Sequence, residues 1–475
     1  MRSSSGTEIY RFGPYQLDSR RRRLLRGTDS VLISDRHLEI LLQLAANAGQ
    51  IVSKDHLISA AWKDVAVADN SIEQAISSLR KVLGTHPEGG PYIETLARRG
   101  YRFAVPVERS KARESDASLD ALLVPYRAFV EGRAALETLD RDAVTRAHTA
   151  FAQALAAEPD YPAAHIGMAN ACVLAFESTR VDAAPAIDAL RAAVHHAREG
   201  CRLDAMSGEA WSTLAFVLHR SGNAAEAIAA ARKAVMLDEG NWHHYLRLAF
   251  VSWGEERLRA ARRVLTLCPG LALASWFAAT VFVARQAFDA ALDELRPGCT
   301  SQDAQRTESG RFKAVGLHLL QGLVMAARGG EEAALEEFAR ELEFEGDGQL
   351  YARESSANTW YAIGAVHRRK GRDDVANAAF RETLTRVPGH MLAAIACGQK
   401  TQSPNASDVD LAIAEAAALV IEGYDDAAAR VCGDALARAE PGAAGWILPV
   451  EPLLNPLAHA QAWARTLAML RDRAA

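Results

Sequence analysis

Cysteine is scarce in this chain of 475 residues and is absent from its first 171 positions. The six cysteines lie tens of residues apart, and none forms a C-x-x-C pair; they are Cys172, Cys201, Cys268, Cys299, Cys397 and Cys432. This spacing argues against both a zinc-binding motif and a disulfide framework. We therefore expect reduced, buried thiols in a cytosolic protein.

Long apolar runs are also missing. The most apolar stretch, residues 271–284, ends at Arg285 and is shorter than the roughly 18–20 residues that a membrane-spanning helix needs. The amino-terminal stretch MRSSSGTEIYRFG lacks the apolar segment of a signal peptide. The sequence therefore predicts a cytoplasmic protein without a membrane partner.

Motifs for catalysis or cofactor binding are absent too. The chain contains no G-x-x-x-x-G-K-[ST] and no H-E-x-x-H. The two adjacent pairs, His195-His196 and His243-His244, would point to different faces of a helix and make poor metal ligands. We expect no catalytic residues, no cofactor and no metal site, and thus no enzyme.

Charge is distributed unevenly along the chain. The net charge of −5 combines +4 in residues 1–110 (16 Lys and Arg, 12 Asp and Glu) with −9 in the remainder (38 and 47). Hydrophobic content of 49% and charged content of 24% are ordinary for folded proteins. A basic head on an acidic body predicts that only the head meets polyanions.

The head begins with short alternating segments. Residues 8–33 predict a small antiparallel sheet. Its run of four arginines, residues 20–23, is more typical of a solvated hairpin edge than of a phosphate contact. Ser34 is a suitable N-cap for a helix over residues 35–47, and Ser53 for a second helix over residues 54–62.

A third helix and a hairpin complete the head. In ADNSIEQAISSLRKVLG, residues 68–84, an apolar stripe lies opposite a polar face; the stripe is Ile72, Ile76, Leu79 and Leu83, and the face includes Asn70, Gln74, Ser77, Ser78 and Lys81. Two short β-type runs follow, joined by the turn Ala97-Arg98-Arg99-Gly100. An exposed helix beside a basic hairpin is typical of a module that enters a nucleic-acid groove.

These blocks resemble a known family in order and spacing. LISDRHLEILLQLAANAGQIVSKDHLISAAW, NSIEQAISSLRKVLG and YIETLARRGYRF are similar to the winged helix-turn-helix of OmpR/PhoB-type response regulators. The similarity is greatest to the ToxR/CadC/HilA branch and covers about residues 8–106. It implies a sheet packed on three helices, with the third helix in the DNA major groove and the hairpin, or wing, at the adjacent minor groove.

The resemblance also implies which residues contact DNA. It transfers to Gln74, Ala75, Ser77, Ser78 and Arg80 in the helix and to Thr95, Arg98 and Arg99 in the wing. The side-chain chemistry assigns base contacts to Gln74, Ser77 and Ser78, and backbone contacts to Arg80, Lys81, Thr95, Arg98 and Arg99. Relatives often carry Arg or His at the positions of Ala75, Ser77 and Ser78, so their target sequence cannot be transferred.

Beyond the head, the chain becomes Ala-rich with helical periodicity. Residues 108–121, polar and nearly free of large apolar side chains, predict a tether. From residue 122 onward, a pattern of small, aromatic and proline residues recurs at intervals near 34 residues and resembles tetratricopeptide (TPR) repeats. The visible units contain Trp211, Leu214, Ala215, Leu218, Gly222, Ala227, Ala231 and Ala234; Trp360, Ile363, Gly364, Gly371, Ala376, Phe380 and Pro388; and Ala147, Phe151, Ala154 and Pro159. Residues 297–308, which begin with a proline, predict an interruption of the series.

The sequence thus predicts a mainly α protein. A winged helix-turn-helix domain of the α+β class (residues 1–107) is followed by a linker (108–121) and a TPR-like right-handed solenoid (122–475). We interpret it as a bacterial, sequence-specific transcriptional regulator without a phosphoacceptor receiver domain. Expected partners are double-stranded DNA, RNA polymerase, a protein or peptide ligand on the concave repeat surface, and a second copy on DNA. The alternative is a TPR scaffold whose winged helix mediates protein contacts.

Overall fold

A computed structural model describes residues 8–19, 22–27, 29–62, 71–86, 89–97, 99–111, 116–136, 141–305, 313–346, 350–399 and 406–475. A small mixed region of strands and helices comes first, and a helical repeat body follows. The strands are β1 Glu8–Phe12, β2 Tyr15–Asp18, β3 Arg23–Arg26, β4 Asp29–Val31, β5 Ile51–Val52, β6 Ile93–Leu96, β7 Gly100–Phe103 and β8 Glu108–Lys111. The first helices are α1 Asp35–Ala46, α2 Lys54–Trp62 and α3 Ser71–Leu83. This confirms the predicted fold class.

The amino-terminal strands form an antiparallel sheet in the order β4-β3-β2-β1-β8. The outer strand β8 comes from the segment predicted to be a tether, and it pairs Ser110 with Ile9 of β1. The next helix begins at Asp116, whereas residues 112–115 lie outside the described part of the chain. Residues 108–111 are therefore part of the sheet rather than of a free linker, because β1 supplies them with main-chain hydrogen-bond partners.

The first two head helices begin where the sequence predicts. The Ser34 hydroxyl accepts a hydrogen bond from the amide of His37 at the start of α1. The Ser53 hydroxyl accepts one from the amide of His56, 3.2 Å away, at the start of α2. These hydroxyls satisfy amides that have no partner within the helix.

Aromatic side chains hold the two sheets of the head together. The second sheet has the order β5-β7-β6. Phe12 of β1 meets Phe103 of β7 edge to face, with ring centroids 4.9 Å apart, and Tyr15 and Tyr92 pack beside them. Such edge-to-face pairs add to the free energy gained by burying the rings. This cluster fixes the hairpin β6–β7 against the amino-terminal sheet.

The body is built from helices joined by turns, with a short 3-10 helix, Leu448–Val450, before the last of them. They are α4 Asp116–Leu136, α5 Arg141–Ala157, α6 Pro162–Thr179, α7 Ile187–Leu203, α8 Gly208–Arg220, α9 Ala224–Leu237, α10 Trp242–Val251, α11 Gly254–Leu267, α12 Ala272–Ala284, α13 Phe288–Ala304, α14 Leu317–Ala327, α15 Glu331–Leu342, α16 Ala352–Arg369, α17 Asp373–Arg386, α18 Met391–Ala396, α19 Asp408–Ile421, α20 Asp425–Arg438 and α21 Ala460–Ala474. Sequential helices pack as pairs, including α8 with α9, α14 with α15 and α16 with α17.

Glycines on one helix face aromatic rings on the next. A Cβ atom placed on Gly364 of α16 would lie 2.6 Å from the ring of Phe380 on α17. The same relation links Gly322 of α14 with Phe338 of α15, at 2.5 Å. A side chain at either glycine would displace the ring, because buried cores have little free space. The small-against-large packing expected of TPR-like units is therefore present, including in a pair that the sequence pattern did not show.

One predicted break in the repeats is wrong. The series was expected to be interrupted over residues 297–308, but α13 continues through Pro297 to Ala304; residues 306–308 lie outside the described part of the chain. Gly298 partly explains why α13 tolerates Pro297, since the missing side chain of this glycine lets α13 approach Leu317 and Ser275 closely. Packing on both sides thus offsets the main-chain hydrogen bond that proline cannot make.

The chain divides into two compact units. The first contains Met1–Ala134, Arg146–Ala171 and Ala192–His244, and the second contains Ala135–Thr145, Cys172–Arg191 and Tyr245–Ala475. Within the second unit, segments distant in the sequence meet: Tyr351 donates to Glu177 at 3.0 Å, and Arg353 pairs with Asp182 at 2.5 Å.

The six cysteines are free thiols. No helix in the described residues is both long and apolar enough to cross a bilayer.

Candidate nucleic-acid interface

The polar face of α3 is open to solvent. Gln74, Ser77 and Lys81 are exposed and Ser78 is half-buried, whereas the apolar stripe, Ile72, Ile76, Leu79 and Leu83, is at most 3% exposed. This exposure matches the face predicted from the helical period. Ala75, a position transferred from the resemblance, is buried at 6% exposure, so it offers little surface to a ligand.

Contacts at both ends position α3 on the head. Lys54 of α2 forms an ion pair with Glu73 in the first turn of α3, with an N–O distance of 2.6 Å. At the other end, the Tyr15 hydroxyl donates to the main-chain oxygen of Leu83 at 3.1 Å. This second contact satisfies one of the carbonyls left without a partner at a helix end. The polar face of α3 is thus presented by a helix held at both ends.

The wing is the hairpin of β6 and β7. Its turn contains Arg99, which is exposed, and Arg98, which lies outside the described residues. Gly100 follows with φ of 128°, and a Cβ atom there would lie 2.1 Å from the main-chain oxygen of Val52. Only glycine fits this close approach. In the strands, Arg102 and Glu94 form a cross-strand ion pair at 2.6 Å.

Arg80 connects the helix to the wing. Its Nε donates to the main-chain oxygen of Ile93 at 2.9 Å, and its Nη2 donates to the hydroxyl of Thr95 at 2.7 Å. Arg80 and Thr95, which the sequence predicts as separate contacts to the DNA backbone, are therefore hydrogen-bonded to each other. Any phosphate contact by Arg80 must use its remaining N–H donors.

The arginine run at residues 20–23 does not form a uniform solvated edge. Arg23 is exposed, but the Arg22 side chain pairs with Asp35 and Glu39 of α1, at 3.2 and 2.9 Å. These two carboxylates raise the pKa of Arg22 against the opposing effect of burial. Arg22 therefore ties the sheet to α1. Arg20 and Arg21 lie outside the described residues.

The first turn of α3 also meets the turn between α9 and α10 in its own unit. Ser71 is buried, and its hydroxyl lies against Gly240, where a Cβ atom would be 2.3 Å from the Ser71 oxygen. Nearby, Arg36 of α1 forms an ion pair with Asp238. Burial lowers the pKa of Arg36 to about 10. No local pattern predicts these contacts, because the partners are 169 positions (Ser71 and Gly240) and 202 positions (Arg36 and Asp238) apart in the sequence.

The acidic stretch on α15 is only partly exposed. Its four glutamates, Glu331, Glu332, Glu336 and Glu337, would on charge alone be expected on a solvated helix face. Glu332 and Glu336 are exposed, but Glu337 is 6% exposed and accepts a hydrogen bond from His318. The preceding helix α14 covers this position, which helical periodicity alone could not show.

Comparison with known proteins finds similarity in the head. Residues 28–103 match the family described as "Transcriptional regulatory protein, C terminal". The transcriptional activator CadC of Escherichia coli is 32% identical over 100 residues, covering 21% of this chain and 20% of CadC. The transcriptional regulator HilA of Salmonella typhimurium is 40% identical over 84 residues, covering 18% of this chain and 15% of HilA.

A solved structure resembles the same region. The DNA-binding domain of E. coli CadC is 30% identical and is covered completely by 22% of this chain, with a TM-score of 0.20. The chain spans only about a fifth or less of the length of CadC and HilA, so the similarity concerns the head alone. The match of residues 28–103 to the transcriptional regulatory protein C-terminal family confirms, for the head, the predicted resemblance to OmpR/PhoB-type regulators.

Proposed function

We propose that this protein is a sequence-specific DNA-binding transcriptional regulator. The observation that carries the proposal is the exposed polar face of α3, with Gln74 and Ser77, beside a wing whose turn bears Arg99. Such a helix fits the major groove, and a basic hairpin fits the adjacent backbone or minor groove. The family assignment of residues 28–103 supports the same function. The proposal involves no catalysis.

Base and backbone contacts divide between the two elements. Gln74 carries an amide that pairs with adenine, and Ser77 and Ser78 carry hydroxyls that bond any base edge. Lys81, Arg98 and Arg99 supply positive charge to phosphates, and Thr95 and Arg80 hold the wing beside the helix. Since the helix face is uncharged except for Lys81, most of the affinity is expected to be electrostatic.

The remaining assignments are part of the proposal. Residues 1–107 bind DNA in the bacterial cytoplasm, and the repeat body from residue 122 receives a signal by binding a protein, a peptide or a second copy. RNA polymerase is the partner through which promoter binding acts. The contact of Ser71 with Gly240 supports the view that a change in the repeats reaches α3.

Salt-dependent DNA binding by the full-length protein tests the proposal. Fluorescence anisotropy with promoter-containing fragments should show affinity that falls steeply with salt. Replacing Arg98 and Arg99 together by alanine should lower the logarithmic salt slope by up to about 2, since each phosphate contact contributes about 0.9. As a charge-matched control, Arg191→Ala with Arg296→Ala removes two exposed arginines from the repeat helices and should leave the slope unchanged.

Specific recognition needs a separate measurement. Gln74→Ala should weaken binding to the best site by about 1–3 kcal/mol and leave random DNA nearly unaffected. Equal losses on both DNAs would make Gln74 a backbone contact. Absent or salt-insensitive binding by the full-length protein would refute the regulator proposal and favour the scaffold alternative.

A further inference from the structure

Three buried side chains with metal-binding atoms meet inside the second unit. Cys299 on α13, His318 on α14 and Glu337 on α15 are 5%, 1% and 6% exposed. One potential ligand atom from each lies within 4.8 Å of the other two. Within the described part of the chain, no other three His, Cys, Asp or Glu side chains have this spacing. Three successive helices thus converge on one small volume.

The histidine of this group is held by two carboxylates. Its Nδ1 is 2.6 Å from Oε2 of Glu337, and its Nε2 is 3.1 Å from Oδ1 of Asp303. Metal-binding histidines commonly donate their second ring N–H to a carboxylate, which fixes the tautomer and the ring orientation. Asp303 has this position here. Its own side chain is 53% exposed, so the histidine is linked through Asp303 to the solvent-exposed surface.

The remaining atoms of the cluster are also oriented. The Cys299 thiol lies 3.6 Å from Oε1 of Gln321. The second carboxylate oxygen of Glu337, Oε1, accepts a hydrogen bond from Arg340 at 3.0 Å, so its Oε2 is the oxygen that faces the histidine. A thiol, an imidazole and a carboxylate are therefore directed at one another from separate helices.

We propose that Cys299, His318 and Glu337 bind one divalent transition-metal ion of the zinc type, with Asp303 orienting the histidine. Sulfur, nitrogen and oxygen ligands together suit Zn²⁺, whereas Mg²⁺ and Ca²⁺ prefer oxygen alone. Ligand atoms around tetrahedral zinc lie about 3.3–3.8 Å apart, so a small inward movement of the side chains brings them into range. The ion takes the place of the Nδ1 proton that His318 shares with Glu337, and this proton and the thiol proton of Cys299 are both released to solvent.

Metal binding by the full-length protein tests this site without reference to DNA. After chelation and removal of any affinity tag, calorimetry with Zn²⁺ should show one ion per chain. Co²⁺ should give the absorption band of a thiolate–cobalt bond. Cys299→Ser should abolish that band, and Glu337→Gln should weaken binding at least tenfold. As matched controls, Cys268→Ser and Glu336→Gln should leave both results unchanged.

A variant with a more exposed side chain covers the case in which the buried substitutions prevent folding. Asp303→Asn should weaken binding about tenfold by releasing the histidine, as expected for a residue outside the coordination sphere, and should keep the thiolate band. Metal binding by the wild-type protein also tests the proposal directly. No stoichiometric binding, or a thiolate band that survives Cys299→Ser, would show that the cluster is only a hydrogen-bonded core element.

Discussion

The guanidinium of Arg80 donates to the hydroxyl of Thr95 across 2.7 Å, joining the last turn of α3 to the first strand of the wing. The same side chain donates a second hydrogen bond to the main-chain oxygen of Ile93, so two hydrogen bonds link the helix to the wing. Because the proposed base contacts lie on the helix and the proposed backbone contacts on the hairpin, this link sets their spacing. Arg80 therefore positions the wing in addition to carrying charge.

Loss of the link should weaken DNA binding without changing the number of phosphate contacts. Arg80→Lys keeps the charge but not the fork geometry, and Thr95→Val keeps the shape but not the hydroxyl. Each variant should reduce affinity several-fold on specific and random DNA alike, with the salt slope unchanged. Anisotropy titrations at three or more salt concentrations would measure both quantities.

A double-mutant cycle shows whether the two residues act together. If the link is what matters, the variant with both substitutions should bind about as weakly as either single variant. Additive losses would instead show that Arg80 and Thr95 contact DNA independently. Arg80→Ala should differ from Arg80→Lys by also lowering the slope, by about 0.9, if the guanidinium neutralises a phosphate.

Local patterns in the sequence are sufficient to predict much of the head. The period of Ile72 and Ile76 identifies the buried side of α3, and the hydroxyls at Ser34 and Ser53 identify two helix starts. Both signals depend on residues within one or two helical turns. The exposure of Gln74 and Ser77 follows from the same period.

Contacts between distant segments could not be predicted in this way. The pattern around Arg80 shows a cation near a helix end, but not that Thr95 accepts its hydrogen bond. In α15, the period puts Glu337 near exposed glutamates, and only the packing of α14 shows that it is buried beside His318. The cysteine spacing likewise gives no sign of a metal site. The residues that meet around Cys299 come from three separate helices, so they are close in space but not in sequence.

Gly100 permits the close approach of the wing to β5. Gly100→Ala would place a methyl group against the main-chain oxygen of Val52, at a φ that disfavours side chains. We expect a loss of about 2–4 kcal/mol from the clash and the backbone strain. Hydrogen exchange in β5 and β7 of the full-length protein should accelerate, and DNA affinity should fall.

A second glycine separates strain from steric clash. Gly90 has φ of 97°, but a Cβ atom there would have no neighbour within 4 Å. Gly90→Ala should therefore cost only about 1 kcal/mol, with little change in the exchange of β5. If the two variants behave alike, the contact with Val52 does not determine the position of the wing.

The ion pair between Arg36 and Asp238 should stabilise the contact of the head with the repeat helices in the first unit. Both side chains are only 24% exposed, and Arg36 also lies over the ring of Trp62, 5.7 Å from its centroid. Asp238→Asn leaves a poorly solvated guanidinium without its countercharge. We expect a destabilisation of about 1–3 kcal/mol, measured as a lower midpoint of thermal unfolding and faster hydrogen exchange in α1.

The neighbouring residue provides a matched control. Glu239 is exposed, so Glu239→Gln removes the same charge from the same turn and should change neither measurement. Replacing the pair with Arg36→Met and Asp238→Leu should recover part of the stability, since an apolar pair leaves no buried charge unpaired. An Asp238→Asn protein as stable as the Glu239→Gln protein would show that the ion pair contributes nothing.

His196 in the first unit makes stability depend on acid. His165 Nε2 donates to the main-chain oxygen of Pro159 at 2.8 Å, so in neutral His165 the Nδ1 accepts from His196 Nδ1, 2.9 Å away. Burial lowers the pKa of His196 to about 4, and the neighbouring imidazoles His165, His195 and His148 add to the effect while Glu199 opposes it. The folded state therefore favours neutral His196, whereas the unfolded chain protonates near pH 6.5.

The sign of this linkage gives a testable pH window. Because the folded protein binds fewer protons than the unfolded chain, stability is complete above about pH 6.5 and is lost as the pH falls towards 4. Between pH 7.5 and 5 the loss from His196 should be about 1–2 kcal/mol after allowance for its partial exposure. His196→Gln keeps a donor but does not titrate, so its unfolding midpoint should depend less on pH than that of the wild-type protein. His195→Gln, at an exposed position, should retain most of the wild-type dependence, because burial is the largest cause of the lowered pKa of His196. Equal pH profiles for the two variants would contradict the assignment to His196.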